Sequence, residues 1–196
     1  MTFLEFNKRL YDKLNILSMT KVALALLSVW AFFEASFWFV IPDFFLLILC
    51  ILYPNNYKKF FLFTILFSVI GITSYFMFVF NYTILSSEIL INTPFINQNM
   101  LDSINFLYTQ RGINSVIKQT ITFIPVKVWT YQAVLHNFNL FLYLFFVTIS
   151  RAIRMFIISL IFAFIDRKYR RSISNNIFIL LLAYVLIFFI VLFYVT

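Results

Sequence analysis

Charge is scarce in this chain, and so are the residues that let a backbone bend freely. Charged residues make up 11% of its 196 positions, against roughly 25% in a soluble domain. That excludes an ordinary water-soluble fold. Two glycines and four prolines leave no flexible linker, so one compact domain is expected. A single cysteine, Cys50, sits in an apolar run and excludes a disulfide framework. Metal-ligand spacing, a nucleophile motif and a glycine-rich phosphate loop are all missing. The expectation is therefore no cofactor, no metal, no catalytic residue and no enzymatic activity. His136 is a lone histidine without such a pattern around it.

Apolar residues fill the space that charge leaves. They are 63% of the chain, with a mean hydropathy of +0.97, and the class is an all-α integral membrane protein. Residues 1–21 mix basic, acidic and apolar positions at helical spacing, which predicts an amphipathic segment at the cytoplasmic surface. Residues 22–53 are too long for one span of an apolar layer about 30 Å thick and too short for two. A re-entrant hairpin turning at Pro42 and Asp43 fits that length. The stretch 60–81 reads as a plain span whose Gly71 allows close helix packing. Residues 82–112 are more polar and read as an external loop, with a short helix around Met100 to Tyr108. Residues 113–137 contain Lys118, Pro125 and Lys127 and read as a second hairpin, entering from the opposite face. Spans are expected at 138–165 and 177–195. The expected fold is thus two oppositely oriented re-entrant hairpins plus about three full transmembrane helices, forming one membrane domain over 22–196.

The charge of +8 fits this layout without nucleic acid. Ten lysines and arginines fall in the segments assigned to the cytoplasm: Lys8, Arg9, Lys13, Lys21, Lys58, Lys59, Arg167, Lys168, Arg170 and Arg171. Only Arg111 and Lys118 fall outside, the asymmetry of the positive-inside rule. The N-terminus is accordingly placed in the cytoplasm and the C-terminus outside.

Five ionisable residues fall at membrane depth: Glu34, Asp43, Lys127, Arg151 and Arg154. Charge at that depth is costly and faces protein or a wet cavity. Arg151 and Arg154 share one helix face, and arginine suits phosphate through paired donors. The candidate site is Arg151, Arg154 and Lys127 for an anionic headgroup, Glu34 and Asp43 for proton coupling, and Pro42 and Pro125 to break the hairpins. The same five charges could instead serve as structural ion pairs that hold the hairpins together.

Three motifs in this order resemble the DedA (VTT-domain) membrane protein superfamily, most closely its YqaA-like branch. The first is Glu34-Ala35-Ser36-Phe37-Trp38-Phe39-Val40-Ile41-Pro42-Asp43, which keeps the Glu-to-Asp spacing and the last proline, with Phe39 and Ile41 in place of the other two. The second is Thr122-Phe123-Ile124-Pro125-Val126-Lys127-Val128-Trp129-Thr130. The third is Ser150-Arg151-Ala152-Ile153-Arg154-Met155, which lacks the family's glycine and phenylalanine. The resemblance implies two opposed re-entrant hairpins in a bacterial inner membrane. It also implies flippase- or scramblase-like transport of a phospholipid or polyprenyl phosphate, proton-coupled in some members. The expected partners are membrane lipids, with a homo-oligomer left open and no nucleic acid. Alternatives from other classes are a non-transporting scaffold or assembly factor and a small-ion or solute transporter.

Overall fold

A computed structural model of the chain describes residues 2–37, 43–93, 96–122 and 124–195, except the side chains of 43, 44, 166, 167, 170, 171, 184 and 187–195. It is all-helical, with no strand among the described residues. Helix α1 (Phe3–Ser18) begins with a capping box. The Glu5 backbone N–H donates to Thr2 Oγ1 at 3.3 Å, and the Thr2 N–H donates to the Glu5 carboxylate at 2.9 Å. Helix α2 (Lys21–Ser36) is capped by Thr20 and bends 76° from α1. Helix α3 (Asp43–Leu52) follows, then a 3-10 turn (Pro54–Asn56) and helix α4 (Tyr57–Asn81).

Side-chain contacts set the directions. On α2, Ala23 and Leu27 share a cluster with Phe60 at the start of α4, while Phe37 stacks edge-on against Tyr75 and Phe78 near its end. The two helices therefore run parallel, with Lys21 and Lys58 at one end of the bundle. The Trp30 ring lies 6.0 Å from that of Phe45 on α3. Leu46, Leu49 and Cys50 meet Ala23 and Leu27, so α3 returns antiparallel to α2. Cys50 is a fully buried packing residue. Small residues make the α2–α4 approach possible. A Cβ on Gly71 would lie 2.4 Å from the Phe32 carbonyl oxygen, so glycine is needed there.

Residues 82–112 are more ordered than the polar composition predicts. They form α5 (Thr83–Ile91) and α6 (Gln98–Arg111). Met100, Ile104 and Tyr108, four apart, turn one face of α6 into the main core. Gly112, at φ +61, ends α6. A 3-10 segment (Gly112–Thr120) then leads to Pro125 and α7 (Val126–Leu135). Asn137, at φ 54, stops α7. The Phe138 N–H bonds the Ala133 carbonyl and the Asn137 N–H that of Val134, the pairing of a Schellman motif. The Asn139 side chain then accepts the Phe141 and Leu142 N–H groups at the start of α8 (Leu140–Val195).

The α8 segment leaves helical geometry at Tyr169, within the basic cluster where a break between two spans is expected, and again at Asn176. It runs antiparallel to α4, since Phe76 meets Tyr143 at 5.8 Å and Phe61 meets Phe156 at 5.5 Å. The Asn7 side chain accepts the Phe178 N–H at 3.0 Å, so α1 caps the part of α8 that follows its last break. Two helices among the described residues, Pro54–Asn81 and Leu140–Ile165, are long and apolar enough to cross a membrane. A third span results if α1 and α2 count as one bent segment. A further apolar helical stretch covers Ser172–Ala183.

Candidate functional site

The interior of this bundle holds charge. Glu34 is 6% exposed on α2 and Arg151 is 7% exposed on α8. Arg151 Nη2 donates to Glu34 Oε2 at 2.7 Å, across 117 positions of sequence. Both positions follow from helix periodicity. On α8, Tyr143, Val147, Ser150 and Arg151 are all buried and recur on one face. On α2, Ala31, Glu34 and Ala35 occupy the buried side. Arg151 lies eleven residues into α8, about 16 Å from its start at helical rise, so the pair sits far from either end of the apolar stretch.

Lys127 joins the pair from a third element. It stands in the first turn of α7, directly after Pro125, and is 2% exposed. The Glu34 carboxylate acts on it electrostatically. Arg154 lies one turn along α8 from Arg151 and is half-buried and engaged. Pro125 takes the N-cap position of α7. Pro42, the expected turn of the first hairpin, lies outside the described residues. Of Asp43 only the backbone, which begins α3, is described.

Hydroxyls tie the surrounding elements to this centre. Thr130 Oγ1 donates to the Val126 carbonyl at 3.0 Å, and the buried Tyr143 hydroxyl lies 2.9 Å from the same oxygen. A hydroxyl has one hydrogen, so Tyr143 is the donor of this pair. Thr120 Oγ1 lies 3.0 Å from Ser150 Oγ and also donates to the Ser150 carbonyl at 3.2 Å. This pins the 3-10 segment beside Arg151. On the other side of α7, the Tyr108 hydroxyl donates to the Trp129 carbonyl at 3.1 Å, and Gln132 Nε2 donates to the Leu101 carbonyl at 3.2 Å. Burial pushes the Tyr108 phenol well above its ordinary pKa.

Several buried polar atoms near this junction lack a hydrogen-bond partner among the described residues: Arg151 Nε, Gln119 Oε1, Thr122 Oγ1 and Trp129 Nε1. Gln119 and Thr122 flank the Thr120 that touches Ser150. A buried polar group left unpaired costs about 1–3 kcal/mol, so such a group calls for an explanation.

Sequence reasoning finds the charges but not this hydroxyl shell. Tyr143, Ser150 and Thr130 carry no charge; Thr130 and Ser150 fall inside the second and third motifs, and Tyr143 is marked by position alone. Tyr143 and Ser150 fall on the Arg151 face at spacings of eight and one, and Thr130 is three residues beyond Lys127. His136 lies apart from the centre. Its Nε2 is 2.9 Å from Asn105 Oδ1, and its ring packs on Tyr108 and Phe138. No group of three or more His, Cys, Asp or Glu gathers as a metal site among the described residues. Comparison of the chain with protein-family models, with curated proteins and with solved structures finds no match.

Proposed function

We propose that this protein carries lipids with an anionic headgroup, a phospholipid or a polyprenyl phosphate, between the leaflets of a bacterial inner membrane, as a DedA-type transporter would. The observation that carries the reading is the buried Arg151–Glu34 pair with Lys127 beside it. Two re-entrant hairpins would deliver these groups. Helix α3 and helix α7 have ten residues each, or about 15 Å at helical rise, half of the apolar thickness. Helix α3 turns back along α2, and Thr120, at the end of the 3-10 segment that precedes α7, touches Ser150 one residue before Arg151. The first hairpin enters at the Lys21 and Lys58 end and the second at the opposite end. Interrupted backbone of this kind is tolerated where it is packed in protein or lines a cavity.

In this account Glu34 and the lipid phosphate compete for Arg151. Protonation of Glu34 releases the guanidinium, whose paired donors then hold the phosphate, with Lys127 and Arg154 adding charge. Deprotonation restores the pair and expels the headgroup. Transport is thereby coupled to protons. Headgroup translocation in proteoliposomes tests the reading with Arg151→Ala and Glu34→Gln. The expected result is lost transport in the first and lost pH dependence in the second. Unchanged rates in both folded variants would reject it.

The 2.7 Å closure of the pair also favours a second reading, a non-transporting scaffold in which Glu34 and Arg151 are a structural strut. That reading predicts no translocation by the wild-type protein at all.

A further inference from the structure

Away from the central charges, an apolar groove of about 410 Å³ opens between α1, α3 and the last part of α8. Leu14, Ile48, Leu52, Ile173, Ile177 and Leu181 line it. Helix α1 bends 76° from α2, so it lies across the end of the bundle rather than along it. This is also the end where Lys21 and Lys58 stand. Lys13, next to Leu14, and Lys168, three residues beyond Ile165, are both exposed. An apolar slot between helices that carry the exposed Lys13 and Lys168 suits an anionic lipid. Basic clusters on an amphipathic helix and beside a span attract anionic lipid, and pockets between helices on that side hold the headgroup.

We infer that this groove binds one acyl chain of an anionic phospholipid, with its phosphate held at the rim by Lys13 and Lys168. The bound lipid fastens α1 to α8 alongside the Asn7 contact to Phe178. The inference needs a membrane-embedded chain but not a transporting one, so it stands or falls apart from the central site. Native mass spectrometry of the full chain, reconstituted with equal phosphatidylglycerol and phosphatidylcholine, tests it. The wild type should retain phosphatidylglycerol over phosphatidylcholine by roughly tenfold, the scale expected for two basic contacts partly screened by water. Lys13→Ala with Lys168→Ala should lower the number of bound phosphatidylglycerols by one. Ile177→Trp, or Ile48→Phe if that variant does not fold, should fill the slot and release the lipid with the charges intact. Arg151→Gln removes the central headgroup site, and the folded variant should still lose one bound phosphatidylglycerol when Ile177→Trp is added. A number of bound phosphatidylglycerols that the groove-filling variants leave unchanged would overturn the assignment. So would equal retention of both lipids, or a second copy of the chain in place of lipid.

Discussion

Arg151 and Glu34 are each other's hydrogen-bonded counter-ion in the interior, 2.7 Å apart and contributed by helices at opposite ends of the chain. Removing one partner of such a pair strands the other charge in low dielectric, at a cost of about 3–5 kcal/mol. Replacing both with apolar side chains of similar size is close to neutral or stabilising. Thermal unfolding in detergent should therefore show Arg151→Met and Glu34→Leu each strongly destabilised and the double variant restored part of the way, since Lys127 then loses the Glu34 carboxylate. Under the transport reading, the partly restored double variant is inactive. A double variant that stays as unstable as either single one would contradict the pairing.

The α2–α4 interface gives a second expectation. The atom that a Gly71 side chain would meet is a backbone oxygen, Phe32 O, at 2.4 Å, and backbone cannot rotate aside. Gly71→Ala should cost about 1–3 kcal/mol, as overpacking does, and Gly71→Leu more. Equal melting temperatures for Gly71→Ala and wild type would show that the two helices separate freely.

Tyr143 and Thr130 should respond unequally. Tyr143→Phe removes the donor and leaves Thr130 with its bond to the Val126 carbonyl, a loss of about 0.5–1.5 kcal/mol. Thr130→Val instead leaves the fully buried Tyr143 hydroxyl without its acceptor, a penalty of about 1–3 kcal/mol. Unfolding of the two variants side by side checks the order. The reverse order would mean that Tyr143 accepts from Thr130.

Asn7 holds the end of α8 from α1. Asn7→Ala should remove a cap-like contact worth about 1 kcal/mol and speed amide exchange around Phe178, with little change around Arg151. Asn7→Asp keeps the accepting oxygen and should restore protection. Uniform exchange in all three proteins would show that α1 does not secure this segment.

How much of this was legible in the sequence follows from cost. Glu34, Lys127 and Arg151 stand out because an ion in an apolar run is expensive, and the fold brings these three together. Gly71 stands out as the one glycine of its run. The polar look of 82–112 hid a core face, because Met100, Ile104 and Tyr108 are diluted by asparagine, serine and glutamine between them. The Asn7 contact to Phe178 spans 171 positions, and no local pattern announces a cap that distant. The Tyr143 hydroxyl sits among many serines, threonines and tyrosines, and only the α8 face selects it.

The account rests on two loops that enter the bilayer from opposite faces, and sidedness of labelling tests that most directly. With Cys50 replaced by alanine, single cysteines go to Lys21, Lys58, Arg111 and Asn139, four exposed positions that bracket the two loops. A membrane-impermeant thiol reagent applied to sealed cells should leave Lys21→Cys and Lys58→Cys unlabelled and should label both Arg111→Cys and Asn139→Cys. Labelling of only one member of either pair would mean that the chain passes straight through the membrane there, and the account would fail.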